Sequence, residues 1–408
     1  MNIERAVVPD LVPGFPPVTI LEGPRTVGKT YVARGLHESG VWQGYETLAD
    51  PLTFELATND LPGWLRSLPK TVIIDEAQLI KELPLIVKML VDESSSRRFL
   101  LTGSARLGRS SLGGTDPLTG RVHRWTLGPL TLAEMNGHPD GLRTLVERLF
   151  QGDIGDGMTQ PALDIPARVN QGGFPLIALR SLTVRERDQW VRDTTLGLLT
   201  DQVLPDDRFD TRLAMRVLDG VLRDTAGILN VDSLGQRLSM DPRTVDRYLD
   251  VLQRRFLLHF LPNLATNPTR QTRARSKMHA VDTAFATESL RRADPSAVTS
   301  PITLGHLFET WVVNQVVPAL QFSSALVQAF YWRDAKTKRE VDLVLADTEG
   351  RLVGIEIKAS TQVGLRDADG LAALRSSAGL SRGYVIYGGT KPVRLTDDCW
   401  AIPAAALG

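Results

Sequence analysis

The sequence predicts a multidomain α/β protein with a parallel-sheet core first, a helical middle, and a second α/β unit at the C-terminal end. Three observations carry that expectation. Short apolar runs alternate with helical patterns from about Val18 to Glu134. Leu and Val fall at three- and four-residue spacings from about Leu142 to Leu264, and a helix followed by strands fills the stretch from about Thr303 onward. Alternating strand and helix builds a parallel sheet with helices on its faces. A chain of 408 residues has room for about two to four domains.

Composition narrows the function classes. Forty-seven Lys+Arg balance forty-seven Asp+Glu, which excludes a uniformly basic nucleic-acid coat but leaves room for a local basic patch. The single cysteine, Cys399, excludes a disulfide framework and a cysteine-based zinc knuckle. The first residues carry Glu4 and lead into Pro9, Pro13, Pro16 and Pro17 rather than an apolar leader. No uncharged apolar run approaches the roughly 18 residues a membrane span needs. A soluble, cytoplasmic protein with no membrane partner is expected.

The first element is the strand from Val18 to Glu22. It runs into Gly23-Pro24-Arg25-Thr26-Val27-Gly28-Lys29-Thr30, which fits G-x-x-x-x-G-K-[ST] at every fixed position, and a helix from Lys29 to His37 follows. Glycines let backbone N–H groups wrap phosphates, and the helix N-terminus adds its positive end. Lys29 suits the β- and γ-phosphates of ATP, and Thr30 suits Mg²⁺. The next buried strand, from Thr71, ends in two adjacent carboxylates, Asp75 and Glu76. Unpaired charge there is costly, so the two acids call for a cation and water. Asp75 fits the Mg²⁺ side and Glu76 the base that aligns the attacking water, which points to ATP hydrolysis. A third strand, Phe99 to Thr102, leads into Gly103-Ser104. Ser104 would lie beside the γ-phosphate if this strand sits between the other two.

These segments, with Leu101-Thr102-Gly103-Ser104, resemble the bacterial and archaeal AAA+ (STAND-like) P-loop ATPases of the DNA-junction type. Gly120-Arg121, the segment Leu127-Gly128-Pro129-Leu130-Thr131-Leu132-Ala133-Glu134, and Gly172-Gly173-Phe174-Pro175 are similar to further elements of that family. Ala105 departs from it, since a second Ser is usual there. The resemblance implies an AAA+-type ATPase core over 1–139, a helical lid over 140–225, and a winged helix-turn-helix over 226–268. A basic connection over 269–302 and a restriction-endonuclease-like α/β domain over 303–408 complete it. It offers Arg121 as a catalytic arginine finger, with Arg124 second, acting in its own site or in that of a neighbour in a homo-oligomer. A plain surface ion pair fits Arg121 equally well.

In the middle, Val231 opens one helix with Leu234 and Leu238 inward. Asp241 and Pro242 then cap and start the next, on which Val245, Leu249, Leu252 and Phe256 form an apolar stripe. Arg243, Arg247 and Arg254 share its exposed face, the arrangement of a recognition helix on DNA, although Asp246 and Asp250 dilute the charge. Beyond it, Arg270, Arg273, Arg275 and Lys277 concentrate four cations with no acid, a patch suited to phosphate backbone or to a soluble linker.

At the C-terminal end, Glu340-Val341-Asp342 and Glu356-Ile357-Lys358 alternate in strand fashion on either side of a turn. Residues two apart share a face. A hairpin can therefore bring Asp342, Glu356 and Lys358 together, two carboxylates for Mg²⁺ and a lysine for water or phosphate. This is similar to the PD-(D/E)xK nuclease core, with Glu309 on a helix from His306 to Val317 matching its additional acid. An amphipathic hairpin with outward charges is the plain alternative. The leading expectation is an ATP-hydrolysing protein acting on branched or junction DNA in repair or recombination. An ATP-regulated Mg²⁺-dependent nuclease and a signalling switch acting on a protein partner are the alternatives.

Overall fold

The computed structural model describes residues 3–104, 116–154, 159–200, 210–264, 276–334 and 336–408. The first sheet contains β1 (Val18–Glu22), β2 (Gly44–Thr47), β3 (Thr71–Asp75), β4 (Arg98–Gly103) and β5 (Val122–Thr126), in the order β2-β3-β4-β1-β5. Every neighbouring pair is parallel. The apolar runs of the sequence have no polar alternation because both faces are covered. Val18, Ile20, Val72, Ile74, Phe99 and Leu101 pack into one core, and Leu21, Ile73 and Leu100 into another. β4 lies between β1 and β3, so Glu22, Gly103 and Asp75 finish their strands side by side.

The middle of the chain is helical. Helix Val231–Leu238 is capped by Asn230, which accepts from Ser233 N–H, and helix Pro242–Arg254 by Asp241, which accepts from Arg243 N–H. Val245, Leu249 and Leu252 are buried. The helix stops at Arg254, however, and Phe256 has φ +57°, so Phe256 caps the stripe from a turn rather than continuing it. An antiparallel ribbon follows, β6 (Leu258–Leu261) with β7 (Lys277–Ala280).

That ribbon corrects the expectation of a mere connection over 269–302. Its second strand and the buried helix Thr283–Ala293 both fall inside that stretch. The cations dominated the pattern there and hid the apolar residues that follow them. Asp282 fastens this helix to the Gly173-Phe174 turn: its carboxylate accepts from the N–H groups of Gly173 (2.7 Å), Phe174 (3.0 Å) and Ala284 (2.8 Å).

The last unit is a mixed sheet of β8 (Val327–Arg333), β9 (Glu340–Asp347), β10 (Leu352–Lys358), β11 (Arg382–Tyr387), β12 (Val393–Thr396) and β13 (Cys399–Pro403). Its order is β12-β13-β11-β10-β9-β8. Val353 and Ile355 share a core with Leu307 and Trp311 of helix Pro301–Val316, which starts earlier than expected. Val344 and Val385 pack instead with Leu371 and Leu374 of helix Asp369–Ala378. The unit is joined to the first sheet by paired hydrogen bonds. Thr126 N–H donates to Gln321 Oε1 (3.0 Å), Gln321 Nε2 donates to Thr126 O (3.1 Å), and Leu132 N–H donates to Gln315 Oε1 (2.7 Å). Among the described residues, no helix is long and apolar enough to cross a membrane.

Candidate functional site

The phosphate-type loop leaves β1 at Gly23, whose φ is +154°. A Cβ at Gly23 would lie 2.1 Å from the carbonyl oxygen of Leu127, so no side chain fits there. Gly28, in left-handed conformation, starts helix Lys29–Glu38. A brace from the chain's start holds the loop. Buried Arg5 donates to Val27 O (2.8 Å), Gly128 O (2.7 Å) and Glu134 Oε1 (2.9 Å). Glu134 also closes a capping box with Thr131. This gives the Pro-Leu-x-x-x-Glu segment a local physical purpose, and Arg5 is a partner that no sequence pattern announced.

Lys29 is only 6% exposed, and its Nζ donates to the carbonyls of Gly23 (2.9 Å) and Pro24 (2.7 Å). Burial lowers its pKa to about 8, against the opposing pull of Glu76 and Asp75. The ammonium is desolvated and under-compensated, which is the state that favours arrival of an anion.

Across the loop mouth, Thr30 Oγ1 donates to Asp75 Oδ2 at 2.8 Å, and Tyr45 O–H reaches the same oxygen at 2.9 Å. The other oxygen, Oδ1, accepts from Thr102 on β4. A hydroxyl and a carboxylate oxygen so placed form the start of a hard-cation site, so Thr30 with Asp75 behind it fits Mg²⁺. Such an ion would neutralise phosphate charge. Glu76 follows in a left-handed conformation at φ +56°, with its N–H on Thr102 Oγ1 (3.3 Å). Gln78 Nε2 donates to Glu76 Oε2 and, at 3.2 Å, to Ser104 Oγ. The expected residues Lys29, Thr30, Asp75, Glu76 and Ser104 thus come together. Tyr45, Gln78 and Thr102 join them without having been singled out, because only the strand order brings them in.

Arg121 requires a correction as an arginine of its own site. In the parallel register Val18 faces Val122 and Glu22 faces Thr126. Arg121 therefore stands at the far end of β1 from the loop, roughly 13 Å of strand away. Its Nε donates to Asp92 at 2.5 Å. Arg124 lies nearer, but it is held by Glu22 (3.4 Å) and Asp116.

Residues 16–136 match a family model described as an AAA domain. The N-terminal core is a P-loop ATPase domain of the AAA+ type. Residues 163–296 and 304–407 match two models described as domains of unknown function, DUF8612 and DUF4143. Uncharacterized proteins of Mycobacterium tuberculosis and Mycobacterium bovis are each 26% identical over 398 residues, covering 95% of this chain and 80% of theirs. Among solved structures, the Walker-type ATPase PABY2304 of Pyrococcus abyssi aligns with a TM-score of 0.40 and 16% identity, over 70% of this chain and 94% of that one. The ORC1 protein of Aeropyrum pernix, solved in complex with DNA, aligns at 0.28 and 14%, over 71% and 90%.

The second candidate centre lies on the C-terminal sheet, and there the structure adds residues and changes the chemistry. β9 and β10 pair from Ala346↔Leu352 to Leu343↔Ile355 and then part. Asp342 fills the gap, accepting Ile357 N–H at 2.9 Å. Lys358 Nζ donates to Glu356 Oε2 at 3.3 Å. A Cβ at Gly370 would lie 2.2 Å from Glu356 Oε1, so glycine there makes room for the carboxyl. Asp342, Glu356 and Lys358, grouped by their spacing in the sequence, lie together here, and Glu309, offered by the resemblance, reaches the same cluster through Lys277.

Lys277, expected on DNA, is in fact inside this cluster and 2% exposed. Its Nζ lies 2.6 Å from Glu309, 2.7 Å from Glu340 and 2.9 Å from Asp342. Burial pulls its pKa down, but Asp342, Glu309 and Glu340 outweigh that and hold it well above the usual lysine value. Glu309 and Glu356 are pushed well above the carboxylate range, first by burial and then by Asp342.

The DNA-facing expectations divide three ways. Arg243, Arg247 and Arg254 are exposed on helix Pro242–Arg254, with Arg247 stacked over Tyr248 at 5.4 Å. Arg270, Arg273 and Arg275 lie outside the described residues. Lys277 is closed to any phosphate backbone, because three carboxylates already use it.

Proposed function

We propose that the chain binds Mg²⁺–ATP and hydrolyses it, and that turnover controls its grip on DNA. The convergence of Thr30, Asp75, Glu76 and Ser104 around the buried Lys29 carries the hydrolysis half of this reading. Lys29 and the loop N–H groups bind the phosphates, Asp75 orients Thr30, and Glu76 takes a proton from the attacking water. Gln78 holds the Glu76 carboxylate, so water activation requires that bond to be exchanged or shared. The expected domains (ATPase core, helical lid, winged helix-turn-helix, connection and nuclease-like unit) would relay the change.

The DNA half rests on Arg243, Arg247 and Arg254, which are exposed on the second helix of a helix-turn-helix pair followed by a ribbon. Such a helix suits phosphates and groove edges, and the preference for a branched or four-way junction is carried over from the family resemblance. A second reading, a switch acting on a protein partner, is favoured by Asp246 and Asp250 on the same helix and by the withdrawal of Lys277 from the basic patch. An arginine acting on a neighbour's site is a role for Arg121 only in a homo-oligomer. The test is ATP turnover measured with no DNA and with linear, forked and four-way DNA at one salt concentration. Stimulation greatest with branched DNA is expected. Turnover and binding indifferent to every DNA would overturn the DNA half and leave the protein-partner switch.

A further inference from the structure

The resemblance to metal-dependent nucleases implies Mg²⁺ at the C-terminal carboxylates, and the residues present do not fit one. Mg²⁺ takes oxygen ligands at about 2.0–2.1 Å in near-octahedral geometry. Here three carboxylates from two elements converge instead on a nitrogen, at 2.6, 2.7 and 2.9 Å. The ammonium donates a hydrogen bond to Asp342 Oδ1, and Glu309 and Glu340 stand at ion-pair distance from the same nitrogen. We propose that the Lys277 ammonium is the resident cation of this cluster, standing where a divalent ion would bind and excluding both the metal and metal-dependent DNA cleavage.

The lysine is not a loose side chain that swings in. Its residue is paired with Leu261 in the ribbon and bridged on its other edge by Ile228, and the neighbouring Ser276 O accepts Leu229 N–H at 2.9 Å. Its strand comes from outside the C-terminal sheet, so the cation is supplied by one unit and the carboxylates by another. Removing it would strip a buried positive charge from three partners. Lys358 cannot take its place, since it is partly exposed and engaged with Glu356. Among the described residues, no group of three or more His, Cys, Asp or Glu side chains is arranged to hold a metal ion. The outline of a cleaving site can thus be kept as a joint: the same acids, now holding the ribbon to the sheet.

The test uses Mn²⁺ alone on the full chain without nucleotide, counting bound ions by electron paramagnetic resonance. Wild type and Asp342→Asn should bind equal numbers of Mn²⁺, because neither holds one at this cluster. One Mn²⁺ fewer in Asp342→Asn would overturn the proposal. Lys277→Ala should gain one Mn²⁺ and show a Tm raised by Mn²⁺ more than that of wild type, since a ligand binding only the folded state stabilises it. Both gains should vanish in Lys277→Ala/Asp342→Asn. A Lys277→Ala protein with a wild-type circular dichroism spectrum and no added Mn²⁺ would also overturn it. Should Lys277→Ala fold only when Mn²⁺ is present, the lysine's role as cation is supported directly. Should it not fold at all, the comparison of wild type with Asp342→Asn decides.

Discussion

Two buried lysines with neighbouring acids organise this molecule, and they do opposite things. Lys29 is held by two neutral carbonyls, and burial drops its pKa to about 8. Lys277 is held by three carboxylates, and its pKa is driven upward. The acids near Lys29 direct their oxygens to Thr30, Tyr45, Thr102 and Gln78 instead of to the lysine. A lysine left short of negative charge is prepared for a phosphate. One surrounded by it has become the ligand itself. The groups at each nitrogen, two carbonyls at Lys29 and three carboxylates at Lys277, separate a binding site from a joint.

The sharpest way to break the comparison is to remove the lysine at each centre. Lys29→Ala should reduce ATP turnover to background, and Glu76→Gln should still bind ATP while turning it over roughly 10²–10⁴-fold more slowly. A Glu76→Gln protein with undiminished turnover would take that residue out of the reaction. Lys277→Met, by contrast, should act on stability. Leaving buried carboxylates without their cation costs about 3–5 kcal/mol, readable as a lower urea midpoint. An unchanged midpoint would mean the ion pairs contribute little.

Proton uptake separates the two lysines next. ATP phosphates should raise Lys29 from about 8, so binding at pH 8 should take up about half a proton per ATP. Calorimetry in buffers of different ionisation enthalpy measures this, and Lys29→Met should abolish it. The sign for stability follows from the same depression. Between about 8 and the ordinary 10.5 the folded chain carries fewer protons on Lys29 than the unfolded one, so this group's contribution falls as pH drops through that window and is largest below it as a penalty. Arg243, Arg247 and Arg254 replaced together by Gln should flatten the salt dependence of DNA binding by about 0.9 in slope for each duplex phosphate no longer neutralised. Arg121→Ala should have the smallest effect, leaving turnover of dilute protein unchanged. A defect there that emerges only at high protein concentration would place the arginine in a neighbour's site.

What the sequence disclosed was local. Gly23 to Thr30 is contiguous, so its pattern, strand and helix could be read together, as could the carboxylates after β3. Thr102, Gln78 and Tyr45 were silent because their meaning depends on β4 lying between β1 and β3. Arg5 was silent because its partners are Val27, Gly128 and Glu134, far along the chain. Asp342, Glu356 and Lys358 were accessible through the period of two. Lys277 misled because it ends a run of like cations, and composition cannot show that the chain turns inward after Ser276. The sequence left Arg121 between a finger and a surface ion pair, since only strand register puts it at the end of the sheet away from its own loop.

The paired bonds between Thr126 and Gln321 give the chain a linkage with little play. Thr126 is the last residue of β5, and the next residue, Leu127, donates its N–H to Glu22 O at 2.8 Å and sets its carbonyl against Gly23. A small displacement of the loop at Gly23 would press on that carbonyl. Gln321 is gripped from both its amide atoms, and it lies just past the helix that carries Glu309. The route from loop to helix is therefore a short push-rod of backbone and one bidentate amide. Shortening that amide by one methylene, as in Gln321→Asn, would leave both ends folded while letting them slip.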